Sequence, residues 1–296
     1  YGGIKGLSVG ASSVGSSSYS KLTIWSGHVG QKLNIDIVPE GTAGSAANVS
    51  LTEAHEIEIG STMTNLAHEA WEGIANYEGV QHRDIRALVT LDVFALQFYS
   101  LDKSGIKSIY DLDGKRVNLS RAGSGTDTWA RRVFEMIGIN PVIVNVNPGE
   151  GNDMMRDGVL DAAGCMGSAH PSIIEMNATH KLNIFGTGDA TAEFLMDQPD
   201  LISLTMDGVY ERQSAPFVTF GEMNLLVGNK NLPDDLVYDI VKTTFEDKAK
   251  LAVGYPGFGS IKASDITLNL VPIHSGAYKY YQEIGVDIPD RIKPIN

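Results

Sequence analysis

The run Asn118-Leu119-Ser120-Arg121-Ala122-Gly123-Ser124-Gly125-Thr126-Asp127-Thr128 decides how this chain is read. Ahead of it, Lys115 to Leu119 alternates apolar residues as a strand does; behind it, Trp129 to Ile137 repeats them at helical spacing. The run is therefore a strand-to-helix loop. Its glycines at 123 and 125 permit a tight turn and close approach of a ligand to the backbone, while Ser124, Thr126 and Asp127 are N-cap types. Unpaired amides at such a helix start, backed by the positive end of the helix dipole, form a seat for an anion. An ordinary Gly-rich turn fits the same residues, and repetition of the device along the chain distinguishes the two.

The chain repeats it. Leu7 to Gly10 reads as a strand running into the small-residue loop Ala11 to Tyr19, after which Leu22, Trp25, Val29 and Leu33 predict a helix starting near Ser18. Ile35 to Pro39 alternates as a strand, and Gly41 to Ala47 opens a helix through about Ala54. Glu56 to Gly60 alternates again, and Ser61 to Asn65 leads into a helix carrying Leu66, Ala70 and Trp71. Further on, the strand Asp161 to Met166 ends in Gly167-Ser168-Ala169-His170-Pro171, which starts a helix through Met176. Between these lie a helical turn at Ser108 to Leu112, a strand at Val142 to Val146, turn residues at Asn147 to Gly151 and a short helix at Asp153 to Gly158. Leu182 to Phe185 is one more strand, and helices at Pro233 to Ala252 and Ala277 to Ile284 finish the chain.

Two apolar stretches set the domain organisation. Ile85 to Tyr99 is longer than one ordinary strand and predicts a strand, a turn and a second strand that crosses into another domain; Glu222 to Val227 predicts the return crossing. The expected architecture is α/β in two lobes, with a discontinuous outer lobe of residues 1–98 and 218–296 and an inner lobe of residues 99–217. In parallel α/β sheets the strand-to-helix loops emerge at the carboxyl edge, where such folds bind ligands. Loops 11–19, 41–45 and 61–65 then share one face of the outer lobe, and loops 121–127 and 167–171 share the matching face of the inner one. A cleft of Ser, Thr, Gly and helix starts suits a small carboxylate.

Composition narrows the alternatives. At 296 residues, 43% apolar and 20% charged, the chain is a globular protein with room for two domains. Lys plus Arg number 23 against 36 Asp plus Glu, a formal charge of 23 − 36 = −13, and no basic cluster exceeds Arg131-Arg132, so nucleic acid is not an expected partner. Cys165 is the sole cysteine, which excludes an intrachain disulfide and multi-cysteine zinc sites. No apolar run is long enough for a membrane span, and Tyr1-Gly2-Gly3-Ile4-Lys5 has no signal-peptide core. The chain reads either as cytosolic or as a mature form whose signal has been removed.

Several blocks in fixed order resemble a known family. Gly15-Ser16-Ser17-Ser18-Tyr19 near the N-terminus, Gly41-Thr42-Ala43-Gly44-Ser45 before a helix carrying Asn48, Ser104-Gly-Ile-Lys-Ser through Gly114-Lys-Arg-Val117, and Gly123-Ser-Gly-Thr126 are similar to the TAXI family. TAXI proteins are the solute-binding subunits of tripartite ATP-independent periplasmic (TRAP) transporters. Leu232-Pro-Asp-Asp-Leu-Val-Tyr-Asp-Ile-Val241 and Pro272-Ile-His-Ser-Gly-Ala-Tyr-Lys-Tyr-Tyr281 resemble its C-terminal pattern, so the likeness spans nearly the whole chain. It implies a type II periplasmic-binding-protein fold, no catalysis, no cofactor or metal, and a monomer in the periplasm or another extracytoplasmic space. It further implies capture of an organic anion such as glutamate or 2-oxoglutarate by hinge closure and delivery to the membrane permease subunits. Carried over by motif, the ligand contacts are Ser17, Ser18, Tyr19, Gly44, Ser45, Ser124, Gly125, Thr126, Gly167 and Ser168. The chain departs from the family at Ser16 to Ser20, where Gly-Gly-Thr-Tyr-Tyr is common, at Met63-Thr64-Asn65, where Gln-Ser-Asp is common, and at Arg121, where a small residue is usual.

Individual residues carry two readings each. Arg121 pairs with a ligand carboxylate in bidentate fashion or is a solvated loop arginine. Tyr19 closes over the ligand or packs at a helix start; Thr64 and Asn65 stand at the third loop, where Asn65 contacts ligand or caps its helix. Cys165 on an apolar strand reads as core, His170 as a polar rim residue rather than an acid–base group, and Trp25 and Trp71 as core. No Gly-x-Ser-x-Gly elbow, P-loop lysine motif or His-Glu-x-x-His occurs. An enzyme on the same fold and a cytosolic ligand-sensing domain stand as the alternatives.

Overall fold

The structure is a computed structural model that describes residues 1–196 and 201–295. The chain divides into two compact units, the first made of Tyr1–Ser12, Ser18–Asp92 and Met223–Asn296, the second of Ser13–Ser17 and Val93–Glu222.

The first unit opens with β1 (Gly6–Gly10), α1 (Ser17–Leu33), β2 (Asp36–Glu40), α2 (Ser45–Glu53), β3 (Ile59–Met63) and α3 (Thr64–Glu72). β1 lies between β2 and β3 and is parallel to both, so the three following helices all begin at one edge of the sheet. Gly10 and Gly60 let α2 approach the strands: a Cβ on Gly10 would lie 2.6 Å from Asn48 Oδ1, and one on Gly60 2.6 Å from Thr52 Oγ1. The third strand differs from its expected place. Glu58 stands before it, its carboxylate accepting the Ser8 amide and hydroxyl at 2.7 Å each, and Ser61 to Met63, expected as a loop, continue the strand opposite Leu226, Leu225 and Asn224. Helix α3 follows with no loop at all.

β4 (Ile85–Leu101) is one continuous strand of 17 residues, where a turn was expected. It contains no Gly, Pro or Asn to break it, and it changes partners along its length. At Ala87 it bridges to Ile273, with Ala87 N donating to Pro272 O at 2.9 Å.

The second unit holds β5 (Arg116–Asn118), α4 (Gly125–Ile137), β6 (Val142–Val144), α5 (Pro148–Arg156), β7 (Ala162–Gly167), α6 (Pro171–Thr179), β8 (Leu182–Phe185), α7 (Ala190–Met196) and β9 (Ile202–Met206). β5 is parallel to β6 and β7, and the far half of β4 pairs antiparallel with β7 and β8. Asn147 to Gly151, expected as a free turn, is instead the start of α5: Asn147 caps it by accepting Glu150 N at 3.0 Å, and Pro148 sits where a missing amide costs nothing. Tyr99, Ile173, Met176 and Cys165 pack the core of this unit. Burial pushes the Cys165 thiol well above its usual range, as an inert core residue requires.

β10 (Phe217–Asn229) pairs with β9 over Phe217–Gly221 and with β3 over Asn224–Gly228, both antiparallel. The single helix expected after it is two, α8 (Asp234–Glu246) and α9 (Lys248–Gly254), before α10 (Ser275–Glu283). Asp247 breaks the pair at φ −100°, ψ 13°, where its carboxylate meets His28 Nε2 at 2.9 Å and Lys250 Nζ at 2.7 Å. Trp25 and Trp71 lie in the core of the first unit, as their helix faces predict.

Candidate ligand-binding site

In the first unit the candidate residues lie at the carboxyl edge of β1 and β3. Gly44 stands before α2 at φ 113°, a backbone region that side chains rarely adopt, and gives the helix no side-chain cap. Ser45 is its first residue and is buried. α3 likewise takes no side-chain cap from Met63, and its first turn carries the buried Thr64 and Asn65. Asn48 ties these loops together: its Nδ2 donates to Gly10 O at 3.0 Å, Ala11 O at 2.7 Å and Ser61 O at 2.7 Å, and its Oδ1 accepts from Thr42 Oγ1 at 2.6 Å.

A second buried polar group lies alongside. Ser18 and Ser61 hydrogen-bond through their hydroxyls at 3.1 Å, Asn224 Nδ2 donates to Ser61 Oγ at 2.9 Å and Thr62 O at 2.7 Å, and Lys21 Nζ donates to Asn224 Oδ1 at 3.1 Å. Lys21 also forms an ion pair with Asp92, and both side chains are almost wholly buried. Burial lowers the Lys21 pKa and the Asp92 carboxylate opposes that shift. Tyr19 is half-buried against the core of this unit. Of these residues, Ser61 stands in the third loop expected at the ligand-facing edge, whereas Lys21 and Asn224 carry no sequence signal that sets them apart.

In the second unit the Asn118–Thr128 run is a loop that folds on itself. Ser120 (φ 63°) and Gly123 (φ 77°) take left-handed conformations, and Asn118 Oδ1 accepts Ser120 N at 2.9 Å. Ser124 caps α4 by accepting Asp127 N at 3.2 Å. The Asp127 carboxylate in turn accepts Gly123 N at 3.1 Å, Arg131 Nε at 2.7 Å and Asn145 Nδ2 at 3.0 Å, so it holds the loop and is not presented to a ligand. The amides of Gly125 and Thr126 at the first turn make no hydrogen bond among the described residues. Arg121 is exposed and forms no ion pair among the described residues.

Because β5 and β7 are parallel neighbours, the loop after β7 leaves the sheet at the same edge. Gln97 Nε2 on β4 donates to Gly167 O at 2.8 Å and Ser168 O at 3.1 Å, and the Tyr210 hydroxyl donates to Gln97 Oε1 at 2.7 Å while accepting His170 N at 3.0 Å. Gly167 is needed as glycine: a Cβ there would lie 2.9 Å from Ser17 Oγ. His170 is not a rim residue. It is buried, and its Nδ1 accepts Ser172 N at 3.3 Å as the N-cap of α6, a role for which a neutral ring is required.

Burial pushes the His170 pKa down from 6.5 to about 4. The native state then binds fewer protons than the unfolded chain between those values, so this contribution is complete above pH 6.5 and is lost as pH falls toward 4. Its size is on the order of 3 kcal/mol. Urea unfolding of His170→Asn, which keeps a capping acceptor and removes the titration, is expected to lose about 2–3 kcal/mol less than the parent between pH 7 and pH 4. Equal losses in the two proteins would refute this account.

A cavity of about 560 Å³ in the second unit, lined by Lys107, Tyr110, Phe185, Thr187 and Phe217 among others, includes none of the candidate residues. This cavity has buried hydroxyls of its own, Thr187 and Thr191, and the candidate residues lie apart from it, at the loops of the sheet edges.

Comparison with solved structures identifies the architecture. An ancestral arginine-binding protein bound to arginine matches at TM-score 0.54 and 13% identity, covering 86% of this chain and 98% of that one. The arginine-, lysine-, histidine-binding protein ArtJ from Geobacillus stearothermophilus matches at TM-score 0.55 and 12% identity, covering 88% and 98%. A putative L-cystine ABC transporter protein from Listeria monocytogenes matches at TM-score 0.52 and 15% identity, covering 88% and 99%. The fold is thus the mixed α/β fold of periplasmic solute-binding proteins. At the level of sequence the chain belongs to the NMT1-like family, whose model matches residues 9–285. Among the described residues no helix is long and apolar enough to cross a membrane.

Proposed function

We propose that this chain is an extracytoplasmic solute-binding protein of a TRAP-type transporter, of the TAXI kind, which captures a small carboxylate-bearing solute and delivers it to the membrane permease. The observation that carries the proposal is the set of helix starts at the strand edges: α2 and α3 without side-chain caps, and the first amides of α4 at Gly125 and Thr126. Such amides, with the helix dipole behind them, favour a carboxylate over a neutral or cationic group. Gly44, Ser45, Thr64 and Asn65 in the first unit, with Ser18 and Tyr19, and Ser124, Gly125, Thr126, Gly167, Ser168 and Ser17 in the second are the proposed contacts. Arg121, exposed at the rim of its loop, is proposed as a charge that attracts the anion.

The similar solved structures are named for binding arginine, lysine, histidine and cystine, and every one of those solutes carries an α-carboxylate. That supports the carboxylate as the common element. Dicarboxylates, 2-oxo acids and acidic amino acids are the classes to test first. In a thermal-shift screen of these compounds with basic amino acids, sulfonates and neutral sugars, a true ligand at 100 times its Kd adds about 2.7 kcal/mol of stability. A shift by a neutral sugar and by no carboxylate would overturn the proposal; turnover of any compound would overturn its non-enzymatic part.

A further inference from the structure

The hydrogen bonds around Ser61 leave one hydrogen over. Lys21 Nζ only donates and the Thr62 carbonyl only accepts, so the Asn224 amide between them has one orientation, with Oδ1 toward the lysine and Nδ2 toward Thr62 and Ser61. Ser61 Oγ therefore accepts from Asn224. The hydroxyls of Ser18 and Ser61 own one hydrogen each and share a single bond of 3.1 Å, and no other side-chain partner for either hydroxyl exists among the described residues. Whichever of the two donates to the other, one hydrogen remains. If Ser18 donates, both acceptor positions of Ser61 are filled and Ser61 can act only as a donor.

Both serines are buried, and a buried donor calls for an acceptor. Ser18 is in the first turn of α1, Ser61 is the first residue of β3 beyond its pairing with β1, and a carboxylate oxygen is the strongest acceptor a small solute offers there. Building on the carboxylate reading above, we infer that the Ser18–Ser61 hydroxyl pair is a donor subsite for a solute carboxylate oxygen, and that Asn224, oriented by Lys21, is the positioning residue that keeps the pair donating. The four side chains come from α1, β3 and β10, so the subsite belongs to the first unit alone.

A double-mutant cycle in the full chain tests the inference. L-glutamate, 2-oxoglutarate and L-arginine are titrated calorimetrically into the parent protein, and whichever binds most tightly is titrated into Ser18→Ala, Asn224→Ala and the double variant, with unfolding curves confirming that each is folded. Each single substitution is expected to weaken binding about tenfold, the scale of one hydrogen bond to a charged group. The double variant is expected to be no more than about twofold weaker than the weaker single, because both act on the same donor. Should Asn224→Ala not fold, Ser61→Ala takes its place in the cycle with the same expectation. Additive losses, near a hundredfold in the double variant, or a Ser18→Ala effect below threefold, overturn the inference while leaving the carboxylate reading standing. Failure of all three probes to bind the parent protein overturns both.

Discussion

Replacing Lys21 with methionine is expected to lower the stability of this protein by about 3–5 kcal/mol, read as a reduced urea midpoint at pH 7 with the slope unchanged. Lys21 is 1% exposed and Asp92 3%, and the ammonium also lies 5.4 Å from the centre of the Tyr255 ring. Methionine retains most of the stem and its packing, so the experiment isolates the charge. What it removes is the cation facing a carboxylate in a place where water cannot replace it. Such a pair contributes little net energy compared with an apolar substitute, yet breaking it by removing one partner is costly, because a desolvated charge remains. The space around Asp92 is tightly fitted as well, since a Cβ on Gly257 would lie 2.5 Å from its Oδ2. A loss below about 1 kcal/mol would refute this account of the pair.

Local chemistry was legible in the sequence and long-range pairing was not. Gly44 and Ser124 could be placed at helix starts because glycine and serine have short-range reasons to be there, and the structure puts them there. Length alone divides Ile85 to Tyr99, yet β4 (Ile85–Leu101) holds no Gly, Pro or Asn; successive partners at Pro272, β7 and β8 keep it extended. Asn147-Pro148-Gly149 carries turn chemistry that serves equally as a cap, and only the Asn147 hydrogen bond to Glu150 N separates the two. Ser61 pairs with Leu226 in the ladder and with Asn224 through its side chain, 163 residues away, which no periodicity announces. His170 read as a rim group because histidine beside Gly-Ser loops usually is one. Its burial depends on Tyr210 and Ser172, of which only the latter is near in the chain.

Asn48→Ala is expected to cost about 3–4 kcal/mol and to weaken solute binding in the same variant. The Asn48 side chain is wholly buried and is the common partner of the Gly10, Ala11 and Ser61 carbonyls and the Thr42 hydroxyl. Alanine leaves these groups facing each other in a void, and an unmade hydrogen bond at a buried group costs about 1–3 kcal/mol. Three carbonyls that retain some ladder bonding each fall near the lower end of that range. Asn48→Asp separates geometry from hydrogen bonding: it keeps the shape, replaces the donor with an acceptor against three carbonyls, and is expected to be more destabilising than alanine. The binding effect follows from the same contacts, since Asn48 joins the ends of β1 and β3 to the loop carrying Gly44 and Ser45. Losing that tie lets the helix-start amides drift from the positions proposed above to hold the solute, so affinity is expected to fall in Asn48→Ala even at temperatures where it is fully folded. Parent-like stability in Asn48→Ala together with greater stability in Asn48→Asp would refute this account of what holds the loops in place.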